Sequence, residues 1–120
     1  MSDKVAVLIV EDEVLIRMDI ADQLVEDGFE VFEASNANDA IALLETQPTI
    51  RILFTDIDMP GSMDGLKLAA AVHDRWPPVK IVVTSGHRWV EITELPNGSI
   101  FYAKPYQHSL IASSFRELIG

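Results

Sequence analysis

Val5-Ala6-Val7-Leu8-Ile9-Val10-Glu11-Asp12-Glu13 is the stretch that decides the fold. Val7 to Val10 are apolar without alternation, which suits a strand buried on both faces of a sheet. The run ends abruptly on three carboxylates. Ile81-Val82-Val83 repeats the pattern and ends on Thr84-Ser85-Gly86. Working outward, β-branched runs stand at residues 5–10, 30–34, 51–55, 79–83 and 99–103, and segments of helical spacing lie between them. Ile16, Ile20 and Leu24 give a first helix one buried stripe, with Gly28 at its stop. Ala37, Ala40, Ile41 and Leu44 mark a second, with Asn36 as N-cap and Pro48 beyond its end. Leu66, Ala69, Ala70 and His73 share a face of a third, which ends before Pro77-Pro78; Ile111, Phe115, Leu118 and Ile119 mark the last. Residues 86–95 are polar and are stopped by the turn signal Pro96-Asn97-Gly98, so a fourth helix there is short or irregular. Strands alternating with helices predict an α/β, doubly wound parallel sheet with right-handed crossovers and helices on both faces.

Composition sets the limits. The 120 residues make one domain, and a chain of this length buries enough surface to fold without disulfides or a structural metal. The net charge of −10 argues against direct binding to a nucleic-acid backbone, which is driven by Lys and Arg. The absence of cysteine excludes thiol catalysis and cysteine-based metal sites, and suits a reducing cytoplasm. No apolar run approaches the roughly 20 residues of a membrane span. The N-terminal Met1-Ser2-Asp3-Lys4 has no signal-peptide pattern. The expectation is a single cytoplasmic domain over 1–120 with no output domain and no membrane contact.

An open doubly wound sheet places its site at the carboxyl ends of the strands. Those ends read Glu11-Asp12-Glu13, Thr55-Asp56-Ile57-Asp58, Thr84-Ser85-Gly86 and Lys104-Pro105. Crowded carboxylates repel, and a hard divalent cation such as Mg²⁺ relieves that with oxygen ligands. Lys104 suits a phosphoryl oxygen, Thr84 can donate to another, and Ser85 and Gly86 offer backbone N–H groups at a helix start. A carboxylate not consumed by metal can attack phosphorus, so the chemistry implied is phosphoryl transfer to an Asp side chain. Taken singly, each residue has a plainer role: Asp12 or Thr84 as a helix cap, Lys104 as an exposed lysine before a turn. Their joint placement at four strand ends favours the functional reading.

In combination, Val7-Leu8-Ile9-Val10-Glu11-Asp12-Glu13, Thr55-Asp56-Ile57-Asp58-Met59-Pro60, Met63-Asp64-Gly65, Val83-Thr84-Ser85-Gly86 and Tyr102-Ala103-Lys104-Pro105-Tyr106 are specific. Through them the whole chain resembles the response-regulator receiver domain of two-component signalling, of the stand-alone chemotaxis-regulator type. The resemblance implies a flavodoxin-like (βα)5 fold with strand order 2-1-3-4-5. It implies Asp56 as phosphoacceptor, and a Mg²⁺ site made by Asp12 directly, Glu11 through water, Asp56, and the backbone carbonyl of Asp58. Thr84, Ser85 and Lys104 would bind the phosphoryl group, with Asp56, Thr84 and Lys104 carrying the chemistry. A cis peptide would precede Pro105. Thr84 and Tyr102 would be the switch pair, coupling the site to a face made by the fourth helix, fifth strand and fifth helix. The partners implied are a sensor histidine kinase or histidine phosphotransfer protein as donor and a downstream protein on that face. Catalysis is limited to the chain's own phosphorylation and dephosphorylation, and the state is a monomer or a phosphorylation-dependent dimer.

Two departures stand out. Met59-Pro60-Gly61-Ser62-Met63-Asp64-Gly65 is one residue longer than the usual pattern, and residues 86–99 look short for a region that normally carries much of the output face. Two alternatives remain beside the receiver. A small Mg²⁺-dependent phosphohydrolase resembling the haloacid-dehalogenase superfamily would use Asp56-Ile57-Asp58, Thr84 and Lys104 in the same order, but its acidic pair should follow the lysine. A pseudo-receiver would bind a partner without being phosphorylated. His73, His87 and His108 are isolated and suggest no metal site; Trp89, Val90 and Ile92 form either a partner surface or the buried side of a short helix.

Overall fold

The apolar run ahead of Glu11 forms β1 (Ala6–Val10), and all of its residues are buried. The computed structural model describes residues 4–59, 61, 63–86 and 92–119. Its other strands are β2 (Glu30–Ala34), β3 (Ile50–Asp56), β4 (Lys80–Ser85) and β5 (Ile100–Ala103); its helices are α1 (Val14–Glu26), α2 (Ala37–Thr46), α3 (Gly65–Arg75) and α4 (His108–Ile119). The strands pair in parallel in the order β2-β1-β3-β4-β5, a doubly wound, flavodoxin-like sheet.

The unbroken apolar runs have a simple cause. Successive strand residues point to opposite faces, and helices cover both faces here. Leu8 and Val10 pack in one core with Ala40 and Leu44 of α2 and Leu68 and Val72 of α3. Val7 and Ile9 pack in a second core with Ile20 and Leu24 of α1 and Ile111 and Phe115 of α4.

The expected punctuation forms as physical caps. Gly28 has a φ of 94°, and the amides of Gly28 and Phe29 donate back to the carbonyls of Val25 and Leu24, a Schellman stop that buries Phe29. Asn36 caps α2 by accepting from the Asp39 amide at 2.8 Å. Gly98 has a φ of 86° in the turn before β5.

Two strands run beyond their β-branched residues. β3 includes Asp56, and β4 includes Thr84 and Ser85, because Asp56 pairs with Thr84, Thr84 with Tyr102, and Ser85 with Ala103. The polar site residues are thus held by the sheet ladder itself. Ser85 therefore ends a strand, and the helix start that its sequence context suggested falls on residues outside the described ones. Between β4 and β5 the described residues form a 3₁₀ turn, Ile92–Glu94, followed by the buried Leu95. His87, Trp89 and Val90 lie outside the described residues, as do Pro60 and Ser62 of the lengthened loop. That loop returns to the sheet where the Gly65 amide donates to the Ile57 carbonyl at 2.9 Å and Asp64 caps α3 through the Lys67 amide.

Candidate functional site

The site begins where β1 stops. The Glu11 amide donates to the Ala34 carbonyl at 3.0 Å, which keeps this first acid in register with β2. Glu11 is buried; its Oε2 accepts from the Glu13 amide at 3.1 Å and its Oε1 accepts from Lys104 Nζ at 2.6 Å. Lys104 Nζ also lies 3.2 Å from Asp56 Oδ2, so one ammonium bridges carboxylates from the ends of β1 and β3. Lys104 is set after β5 by the hydrogen bond its backbone amide donates to the Ser85 carbonyl, and the Lys104–Pro105 peptide is cis.

Asp56 ends β3 almost fully buried, with Thr84 beside it in register on β4. The Thr84 hydroxyl is buried and has no hydrogen-bond partner among the described residues. An unpaired buried hydroxyl costs about 1–3 kcal/mol, so its place beside a carboxylate needs a functional explanation. Asp58 is turned differently: its Oδ2 accepts from Ser85 Oγ at 2.7 Å, and its amide lies 3.4 Å from Asp56 Oδ1.

Asp12 is not used as a helix cap. Glu13 occupies the N-cap of α1, and no side chain caps that turn. Instead, Asp12 offers a carboxylate oxygen within 4.8 Å of oxygens from Glu11 and Asp56. This three-acid donor set fits a hard divalent cation, and the Asp58 side chain lies outside it. The site is flanked by two clefts. One, of about 580 Å³, runs from Asp12 to Asn36 and Gly61; the other, of about 390 Å³, runs from Lys104 to Ile16 and His108.

The charges are under-compensated. Burial pushes the carboxyl pKa of both Glu11 and Asp56 up, and Lys104 only partly offsets this. For Lys104 itself, burial would lower the ammonium pKa, but the hydrogen bond to Glu11 and the charge of Asp56 outweigh it and raise it. The cluster holds three acids and Lys104 pairs with two of them, so negative charge is left over to attract a second cation.

The two aromatics of β5 diverge. Tyr102, expected to be the switching aromatic, packs in the α1–α4 core and donates its hydroxyl to Ser114 Oγ of α4 at 2.6 Å. Phe101 packs on the opposite face, in the core that contains Val83 and the buried Leu95 after the 3₁₀ turn. Leu95 therefore shares a core with Phe101.

Comparison with known proteins agrees with this fold. The model of the response regulator receiver domain family matches residues 7–95. The transcriptional regulatory protein PdtaR of Mycobacterium tuberculosis is 34% identical over 123 residues, covering 93% of this chain and 58% of that protein. An NtrX-like response regulator of Rickettsia bellii is 34% identical over 106 residues, covering 85% of this chain and 22% of that protein. This chain thus spans about a fifth of the length of the NtrX-like relatives. The crystal structure of a response regulator receiver protein from Sinorhizobium medicae superimposes with a TM-score of 0.89 at 27% identity, covering 98% of this chain and 95% of that one. No helix among the described residues is long and apolar enough to cross a membrane. With residues 7–95 matched by the family model and relatives 34% identical over most of its length, the chain belongs to the response regulator receiver domain family of two-component signalling.

Proposed function

We propose that Asp56 accepts a phosphoryl group from a phosphohistidine of a sensor kinase or histidine phosphotransfer protein. The observation that carries this reading is Lys104 Nζ held between Glu11 and Asp56, with the unpaired Thr84 hydroxyl in register beside Asp56. An Asp56 carboxylate oxygen attacks phosphorus, the P–N bond breaks, and the imidazole nitrogen keeps the electron pair; the product is an aspartyl phosphate. Lys104 turns from Glu11 to a phosphoryl oxygen, and Thr84 donates its hydroxyl to another. Glu11, Asp12 and Asp56, with the Asp58 carbonyl, are the residues that would hold Mg²⁺, which when bound offsets the negative charge of the transferring group.

Movement of Thr84 toward the phosphoryl group is the link to a signalling surface. In β5, Tyr102, tied to Ser114, pairs with Thr84, and Phe101, in one core with Leu95, pairs with the preceding Val83. The switch we propose passes from Thr84 through its β5 partner Tyr102 and the neighbouring Phe101 to Leu95, and biases a two-state equilibrium that a downstream protein reads. Water attack on the aspartyl phosphate resets it.

Asp58 should regulate uptake. Its carboxylate, held by Ser85, adds negative charge beside the acceptor. Removing one charge at this range is worth about 1 kcal/mol in a water-like dielectric. Asp58→Asn should therefore take phosphoryl from a small anionic acyl phosphate roughly fivefold faster. Equal uptake rates would remove this role.

The test of the whole site uses Mg²⁺ and beryllium fluoride, a phosphoryl mimic. At a hundredfold excess over its dissociation constant, a ligand specific to the folded state adds about 2.7 kcal/mol. For a chain of this length that is a rise in melting temperature of roughly 10 °C. Asp12→Ala and Asp56→Asn should each lose most of that rise. A parent whose melting temperature is unchanged by Mg²⁺ with the fluoride would overturn the assignment.

A further inference from the structure

One side chain outside the family motifs is hydrogen-bonded to the backbone of the acidic turn. Arg17, on α1, donates from Nη1 to the Glu11 carbonyl oxygen at 2.7 Å and from Nε to Glu33 Oε1 of β2 at 3.1 Å. Its side chain is 17% exposed and its bond to the Glu11 carbonyl is half-buried, while Glu33 is more open to solvent at 42%. The carbonyl it holds belongs to the peptide between Glu11 and Asp12. That peptide is planar, so fixing its oxygen fixes the orientation of the bonds that lead to both acids. The preceding peptide is fixed as well, because the Glu11 amide donates to Ala34. The pairing with Glu33 also offsets the guanidinium charge, which would otherwise repel a cation at the acidic cluster.

We infer that Arg17 is a positioning residue for the cation site, aligning Glu11 and Asp12 while Glu33 aligns Arg17. This rests on the proposal that Glu11 and Asp12 hold Mg²⁺. The planar guanidinium suits the task because its N–H groups leave in fixed directions toward two acceptors; lysine offers one ammonium centre on a flexible stem.

The test is calorimetric titration of the folded protein with Mg²⁺ alone, together with the melting temperature of the cation-free form. Outer partners that orient metal ligands typically contribute 10–100-fold to affinity. Arg17→Met should weaken Mg²⁺ binding by about that factor. Arg17→Lys, which can still reach the Glu11 carbonyl, should recover part of the loss. Unchanged Mg²⁺ affinity in Arg17→Met, with only a lower cation-free melting temperature, would make Arg17 a purely structural residue and overturn the inference. If Arg17→Met does not fold, Arg17→Lys decides: parental affinity overturns the inference, and weakened affinity in a stably folded variant supports it. A parent that binds no Mg²⁺ would instead remove the cation-site reading on which the inference depends.

Discussion

Lys104→Met should destabilise the cation-free protein by about 3 kcal/mol at neutral pH, a fall in melting temperature of roughly 10 °C. Lys104 faces two carboxylates whose side chains are only 4% and 5% exposed. Losing the lysine leaves both charges buried without a counter-charge, a change that ordinarily costs 3–5 kcal/mol; partial protonation brings it toward the lower end. The pH dependence has a definite sign. Glu11 and Asp56 already have raised pKa values, chiefly from burial, and removing Lys104 takes away what lowers them. The folded state then binds more protons than the unfolded state at pH values between the ordinary carboxylate range and the raised values. Stability therefore falls as pH rises through that window, and the cost is fully present above it. The gap between variant and parent should close toward pH 4. It should also narrow when Mg²⁺ is added, because the cation supplies the missing charge. Thermal melts across pH, with and without Mg²⁺, check both points; a gap independent of pH and of Mg²⁺ would show that Lys104 acts through packing alone.

Gly65→Ala should cost about 3 kcal/mol, the upper end of what overpacking usually costs. Helix propensity alone argues for the opposite sign, since alanine is about 1 kcal/mol better than glycine within a helix. The difference lies in what stands against Gly65. A Cβ there would sit 2.6 Å from Ile57 Cα and 2.7 Å from the Asp56 carbonyl carbon, and closer still to the Asp56 carbonyl oxygen. All three are backbone atoms, so no side-chain rotation relieves the clash; α3 must shift or the end of β3 must move. Because that end carries Asp56, phosphoryl uptake should fall with stability. Gly86→Ala is the control, since the nearest atoms its Cβ would meet among the described residues belong to the flexible Lys104 side chain, from 3.3 Å. Chemical unfolding of both variants decides it: a Gly65→Ala protein as stable as the parent would mean that α3 can relax away from the sheet at little cost.

Much of this architecture is legible in the sequence because apolar runs that end on polar residues locate both strands and their carboxyl ends. Glu11, Asp12, Asp56, Thr84 and Lys104 each stand at such an end, and a parallel sheet brings those ends together. The partners are less legible. Lys104 and Glu11 are 93 residues apart, and their 2.6 Å contact follows from the strand order, which local pattern does not encode. Tyr102 is the instructive case. Adjacent aromatics on an edge strand give no periodic signal for which of them faces which core, and the hydrogen bond to Ser114 settles its direction. Gly65 and Arg17 are similar: a close backbone approach and a side-chain bond to a carbonyl leave no mark on hydrophobic spacing. The polar extension of β3 and β4 is likewise decided by pairing with neighbouring strands, against the local preference of Asp and Ser for turns.

The central claim is that Asp56 is the phosphoacceptor. Its most direct test is the intact mass of the protein after incubation with Mg²⁺ and a small acyl-phosphate donor, for the parent and for Asp56→Asn. A gain of one phosphoryl group is expected in the parent, none in Asp56→Asn, and none in the parent when Mg²⁺ is withheld. An unmodified parent that still binds Mg²⁺ and beryllium fluoride would mean that the group is taken only from a protein donor. An unmodified parent that binds neither, or a phosphoryl group found equally on Asp56→Asn, would contradict the account.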